Sequence, residues 1–131
     1  MVTVNPELLA RLERERNVWM CTLRPDGSPH VTPVWFVYSE ATWWVVSAER
    51  NRKIRNLAQD PRVSLALEDG RTPAVAEGRA RLHRTNFPTK IKTAFADKYQ
   101  GWDITTPEPG AGARVLIEIP ATRWLLEGRA Q

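Results

Sequence analysis

The chain has 131 residues, enough for one domain, residues 1–131, with a real core and no disulfide staples. Apolar residues make up 42% and charged residues 26%, a globular balance, and no apolar run approaches the roughly 20 residues that span a bilayer, so no membrane partner is expected. The 19 basic against 15 acidic residues leave a net charge of +4, a mild excess with no recognised binding motif or long basic run beside it, so no nucleic-acid partner is expected either.

In chain order, Asn5-Pro6-Glu7 is a helix start: Asn as cap, Pro at the first helical position, an acid in the first turn. Leu8, Leu9 and Leu12 give one apolar face, and the helix is predicted to end near Arg16. Val18 to Arg24 is dense in apolar residues and reads as a strand buried on both sides. Pro25-Asp26-Gly27-Ser28 is a turn, and His30 to Tyr38 is the next strand, with Pro33 interrupting it; proline has no N–H for a ladder, which implies an edge, a bulge or an irregular spot there. Ser39-Glu40-Ala41 turns the chain into the strand Thr42 to Ala48, so these three strands form a meander.

A short helix follows over Asn51 to Gln59, stopped by Asp60-Pro61. Arg62 to Glu68 alternates, with Val63, Leu65 and Leu67 inward. After the turn 69–73, Ala74 to Leu82 puts small residues (Ala74, Ala76, Gly78, Ala80) on its inner face, which suits a tightly curved wall or a close partner. Asn86 to Gln100 is a second amphipathic helix, with Phe87, Ile91 and Phe95 every four residues. Residues 102–113 hold prolines and glycines and read as a loop. Arg114 to Ile119 is a strand, Pro120 breaks it, and Thr122 to Leu126 is a last short strand. Antiparallel strands with peripheral helices define a mainly β chain and point to a small barrel.

The familiar catalytic signatures are missing: no G-x-S-x-G elbow, no H-E-x-x-H, no Walker loop, no G-x-G-x-x-G. His30, His83 and the lone Cys21 are too few for a metal site, and Cys21, inside an apolar run, reads as a small buried residue. A single cysteine and an acidic N-terminal stretch (Glu7, Glu13, Glu15) without an apolar signal core fit a cytoplasmic protein. The most informative stretch is Asn51-Arg52-Lys53-Ile54-Arg55-Asn56-Leu57. It sets three cations at a helix start, which has free N–H groups and the positive end of the dipole, so it is a candidate phosphate holder. A solvated basic helix face is the other reading. Six tryptophans supply bulk for a core or an interface, or walls for a flat aromatic ligand.

Residues 22–36, from Thr22 through Pro25-Asp26-Gly27 to Val34-Trp35-Phe36, resemble the opening hairpin of the pyridoxamine-phosphate-oxidase-like split-barrel family. Residues 51–57 with Asp60-Pro61-Arg62-Val63 resemble its phosphate-binding helix and next strand, and Ala76-Glu77-Gly78-Arg79-Ala80 its following strand, in order over roughly residues 8–126. The short chain and the Arg-Lys-x-Arg-Asn-Leu pattern resemble the actinobacterial-type flavin/deazaflavin oxidoreductases that use coenzyme F420. The resemblance implies a six-to-seven-stranded antiparallel split barrel, a homodimer with cofactors at the interface, and hydride transfer to a small-molecule acceptor. By position it implies that His30, Pro33, Val34 and Trp35 line the cofactor ring, and that Ser47, Asn51, Arg52 and Lys53 hold the ribityl and phosphate portions. Arg55 joins the cationic cluster, and Arg71 and Trp102 come from the second subunit. Packing alternatives stand beside these roles, Trp35 as core or dimer bulk and Trp102 as a loop pin. With little chain after Pro120 for a substrate segment, pyridoxamine phosphate oxidation itself is not expected. FMN in place of F420, and a non-catalytic carrier of F420, FMN or haem, are the alternatives.

Overall fold

The computed structural model describes residues 4–130. In chain order the elements are α1 (Pro6–Arg14), β1 (Asn17–Leu23), β2 (Pro29–Ser39), β3 (Thr42–Ala48), α2 (Arg52–Gln59), β4 (Arg62–Leu67), β5 (Ala74–Arg79), β6 (Arg81–His83), α3 (Thr89–Lys98) and β7 (Arg114–Glu127). All pairings are antiparallel, in the order β3-β2-β1-β4-β5-β7. β3 also pairs with β7, which closes a six-stranded barrel, and β6 is an extra strand that continues β5 along β7. This is the split barrel expected from the sequence.

Period-two alternation builds the core. Val18 and Met20 of β1, Val63, Leu65 and Leu67 of β4, and Ala74 and Ala76 of β5 point inward against Trp43, Val45, Ile117 and Ile119. Outside the barrel α3 lays Ile91 and Phe95, with Tyr99 just beyond its end, on Val37 and Leu116 to make a second, smaller core. Asn5 caps α1 through its side chain to the Leu8 N–H, and the helix stops at Arg14, short of Arg16.

Four expectations are corrected. β1 is buried on one face only: Val18, Met20 and Thr22 are inside, while Trp19 is 44% exposed on the outer face. Of the edge, bulge or irregular spot implied at Pro33, the structure has the edge, and β2 runs on through it. The strand pairs with β1 up to Trp35 and with β3 from Phe36 onward, so residues 29–35 have an open edge opposite β1. The single strand expected over 74–82 kinks at Ala80, whose N–H turns to the Pro61 carbonyl at 2.8 Å. β7 runs unbroken through Pro120, because the strand changes neighbours there: β3 pairs with residues 114–120 and β5 with residues 121–127. α3 is also shorter than predicted, since Pro88 takes the cap position and the chain before it is loop.

The crossing of β5 over β7 explains one glycine. A Cβ on Gly78 would stand 2.6 Å from the Pro120 carbonyl oxygen and 2.8 Å from Ile119 Cγ2. Only a residue without a side chain lets the two backbones approach so closely.

Candidate functional site

β2 and β3 pair only from Phe36↔Val45 to Ser39↔Thr42, and on the far side of those pairs they part. The opening is a notch of about 320 Å³. Pro33, Val34 and Trp35 form one wall and Val46 and Ser47 the other; Asn51 and Lys53 close the floor, and Trp102, Glu108 and Arg114 reach in from the loop and the start of β7.

The β2 wall carries open backbone. The Tyr99 hydroxyl sits between Phe36 and Arg16, 2.8 Å from the Phe36 nitrogen, so the polar groups of Phe36 face β1. Alternation along the strand then turns those of Trp35 and Pro33 the other way, to the unpaired edge. The missing N–H of Pro33 breaks no ladder there. Val34 packs its side chain against the barrel core.

An aromatic frame supports that wall. Trp35, 41% exposed, stacks on Tyr99 with centroids 4.4 Å apart and planes 6° from parallel. Trp102 stands edge-on to Trp35 at 5.4 Å and to Phe95 at 5.6 Å. The Arg114 guanidinium lies 5.6 Å from the Trp102 ring centroid.

The floor is the start of α2. Its first turn has no acid and its last turn no base, the reverse of what the helix dipole favours. Cations at a helix N-terminus cost about 0.3–1 kcal/mol each, which a bound anion offsets. Asn51 occupies the cap position, yet its side chain does not cap the helix. It donates instead to Ser47 Oγ at 2.9 Å and to Glu108 Oε2 at 3.1 Å, so the first N–H groups of α2 stay open. Burial pushes the Lys53 ammonium below the ordinary lysine value, and the Glu108 charge partly restores it. The buried Asn56 fastens α2 to the barrel by donating to Thr22 Oγ1 at 3.0 Å.

Seven of the residues expected from the sequence thus meet in one notch: Pro33, Val34, Trp35, Ser47, Asn51, Lys53 and Trp102. Trp102 reaches the notch of its own chain. His30 and Arg52 flank it. Burial, then the charges of Arg24, Lys53 and Arg52, hold the half-buried His30 below its usual value, and its Nδ1 has no hydrogen-bond partner among the described residues. Arg55 is turned outward on α2 and has no ion-pair partner among the described residues. Arg71 does not reach the notch of its own chain; it is exposed in the turn 69–73 and pairs with Asp69 at 3.3 Å. Val46, Glu108 and Arg114 were not anticipated. Nothing local marked any of the three: alternation along β3 puts Val46 on the opposite face from Ser47.

A barrel opened where two strands part, with a cationic helix start in the gap, defines a split-barrel protein. The chain belongs to the pyridoxamine 5'-phosphate oxidase family, which it matches over residues 4–127. Among solved structures it is similar to an F420 reductase, at 25% identity and a TM-score of 0.73 over 92% of this chain and 98% of the other. It is also similar to a conserved hypothetical protein from Mycobacterium tuberculosis, at 26% identity and 0.73 over 95% and 84%. The haem storage protein HutZ from Vibrio cholerae shares the fold at 16% identity and 0.75, over 98% of each chain. No helix among the described residues is long and apolar enough to cross a membrane.

Proposed function

We propose that this protein is an F420-dependent oxidoreductase that moves a hydride between reduced deazaflavin and a small organic acceptor, acting as a cytoplasmic homodimer. The observation that carries the reading is the meeting, in one notch, of an open strand edge and a cationic helix start. The residues present fit such a group. Main-chain groups of Pro33 and Trp35 suit the polar edge of a planar ring, with Trp35, Trp102 and the unpartnered His30 around it. Ser47 and Asn51 suit ribityl hydroxyls. Lys53, Arg52 and the open N–H groups of α2 suit the phosphate.

A bound reduced deazaflavin supplies the hydride; the chain's own residues bind, orient and exclude water, and none needs to act as a nucleophile. Similarity to an F420 reductase favours this cofactor over FMN. So do Arg50 and Arg55, both exposed beyond the phosphate corner, which suit an acidic tail that FMN lacks.

The homodimer rests on the outer face of β1 and β2. Cross-strand pairing of Cys21 with Val31, Trp19 with Pro33 and Asn17 with Trp35 puts these side chains on one face. Trp19, Val31 and Trp35 there are 44%, 53% and 41% exposed. A second copy covers this patch. In that arrangement Arg71 contributes to the notch across the interface.

Titration of the purified protein with F420 and with FMN, followed by fluorescence, tests the cofactor. Tight F420 and absent FMN binding is expected; the reverse makes it an FMN-dependent reductase, and binding of neither overturns the reading. Reoxidation of reduced F420 is then followed with a panel of acceptors. No acceleration by any acceptor makes the protein a carrier.

A further inference from the structure

Among the described residues Glu108 is the one acid lining the notch. Its carboxylate accepts a hydrogen bond from Asn51 Nδ2 at 3.1 Å and stands 3.6 Å from Arg114 Nη1. Its charge also acts on Lys53, whose ammonium burial alone disfavours. An amide N–H bonded to the carboxylate and a guanidinium beside it, with a lysine lining the same notch, are donors that suit a phosphate group. Here an internal carboxylate has them.

We propose that Glu108 is a resident counter-anion: its carboxylate holds the seat that the phosphate of an incoming ligand takes, and yields it by side-chain rotation. The inference rests on reading the notch as the site of a phosphate-bearing cofactor. The moving part is the side chain, because the loop backbone is tied down. Glu108 and Gly112 exchange both main-chain bonds at 3.0 Å. Arg50 N–H bonds the Ala111 carbonyl and Glu49 N–H the Ala113 carbonyl, each at 2.9 Å, which moors the loop to the joint between β3 and α2. The Glu108 side chain is 38% exposed, so solvent is at hand to receive it.

Glu108 then acts as a charge filter. Without it Lys53 and Arg114 line the notch with no acid beside them among the described residues. A phosphate dianion outcompetes a single carboxylate for these donors, whereas a neutral ligand gains nothing by displacing it.

The test compares the parent protein with Glu108→Gln and Glu108→Ala, titrated with inorganic pyrophosphate, FMN, riboflavin and F420 and followed by tryptophan fluorescence. Pyrophosphate and F420 are expected to bind both variants about tenfold more tightly than the parent, with riboflavin unchanged. Equal pyrophosphate affinity in parent and variants overturns the proposal. So does a riboflavin shift that matches the F420 shift, which would put Glu108 against the ring or sugar. F420 binding of equal strength to parent and variants removes the seat and leaves the cofactor reading intact. Tighter pyrophosphate binding, with no binding of F420 or FMN to any form, keeps the seat and removes the cofactor reading.

Discussion

The Tyr99 hydroxyl stands 2.8 Å from the Phe36 amide nitrogen and 2.8 Å from the Arg16 carbonyl oxygen, wedged where β2 leaves β1 for β3. It accepts the Phe36 N–H and donates to a carbonyl, Arg16 or, at 2.9 Å, Phe36 itself. A side chain from the end of α3 thus extends the β1–β2 ladder by one rung and lets the strand swap partners without stranding a buried N–H. The same ring stacks on Trp35, so the residue that mends the sheet also sets the aromatic wall of the notch.

Tyr99→Phe keeps the ring and removes the hydroxyl. The Phe36 N–H is then buried without a partner, and stability should fall by about 1–3 kcal/mol. Urea denaturation measures the loss. Faster hydrogen exchange at the Phe36 amide should accompany it.

Lys53→Ala should weaken cofactor binding by about 1.5–3 kcal/mol, as for a lost charge-assisted hydrogen bond. It should leave the melting temperature unchanged or raised, because it removes a half-buried ammonium from the positive end of α2. Unaltered affinity takes Lys53 out of the site.

Gly78→Ala forces a methyl group against the Pro120 carbonyl oxygen and Ile119 Cγ2. Overpacking of this kind should destabilise the fold by about 1–3 kcal/mol, read by thermal or chemical unfolding. Gly70→Ala, at a position open to solvent with nothing near the new carbon, is the matched control and should change little.

Stability should depend on alkaline pH in two opposed steps. Burial, then the Arg16 charge, lowers Lys98 to about 8. A depressed lysine contributes stability that is complete above its unfolded value and lost as pH falls through 8, so stability rises from pH 8 upward. Burial raises Tyr99 to about 12. Its contribution is complete below the ordinary tyrosine value of 10.0 and is lost as pH climbs through 12, so stability declines from pH 10 upward. Denaturation midpoints at pH 7, 10 and 11.5 should therefore peak in the middle, and Lys98→Met should flatten the rise.

Trp19→Glu places a charge at the centre of the exposed face of β1. Light scattering should report a dimer for the parent and a monomer for the variant, with cofactor affinity lost alongside. A monomeric parent protein removes the homodimer.

Local physics made part of this molecule legible. The strict alternation of Val63, Leu65 and Leu67 marked β4, and all three are buried. The cations of α2 stood out because they contradict the dipole of the helix they begin. Other features depend on distant chain. Pro120 reads as a break to any local rule, yet the strand continues because β3 leaves one half of it and β5 takes up the other. Glu108 sits in a run of prolines and glycines that says only loop; its partner Asn51 lies 57 positions away. Trp19 looked like core because apolar density cannot tell a barrel interior from an exposed outer face.

The last strand has a consequence for how the chain is made. Residues 42–48 have no neighbour on one side until residues 114–120 arrive, and residues 74–78 wait likewise for residues 121–127. While the ribosome is still adding those final residues, the nascent cylinder gapes along a seam with two raw margins, Trp43 and Val45 behind one of them. Closure is a single late event, so nascent chains stalled short of residue 114 should be the form that chaperones grip and that aggregates.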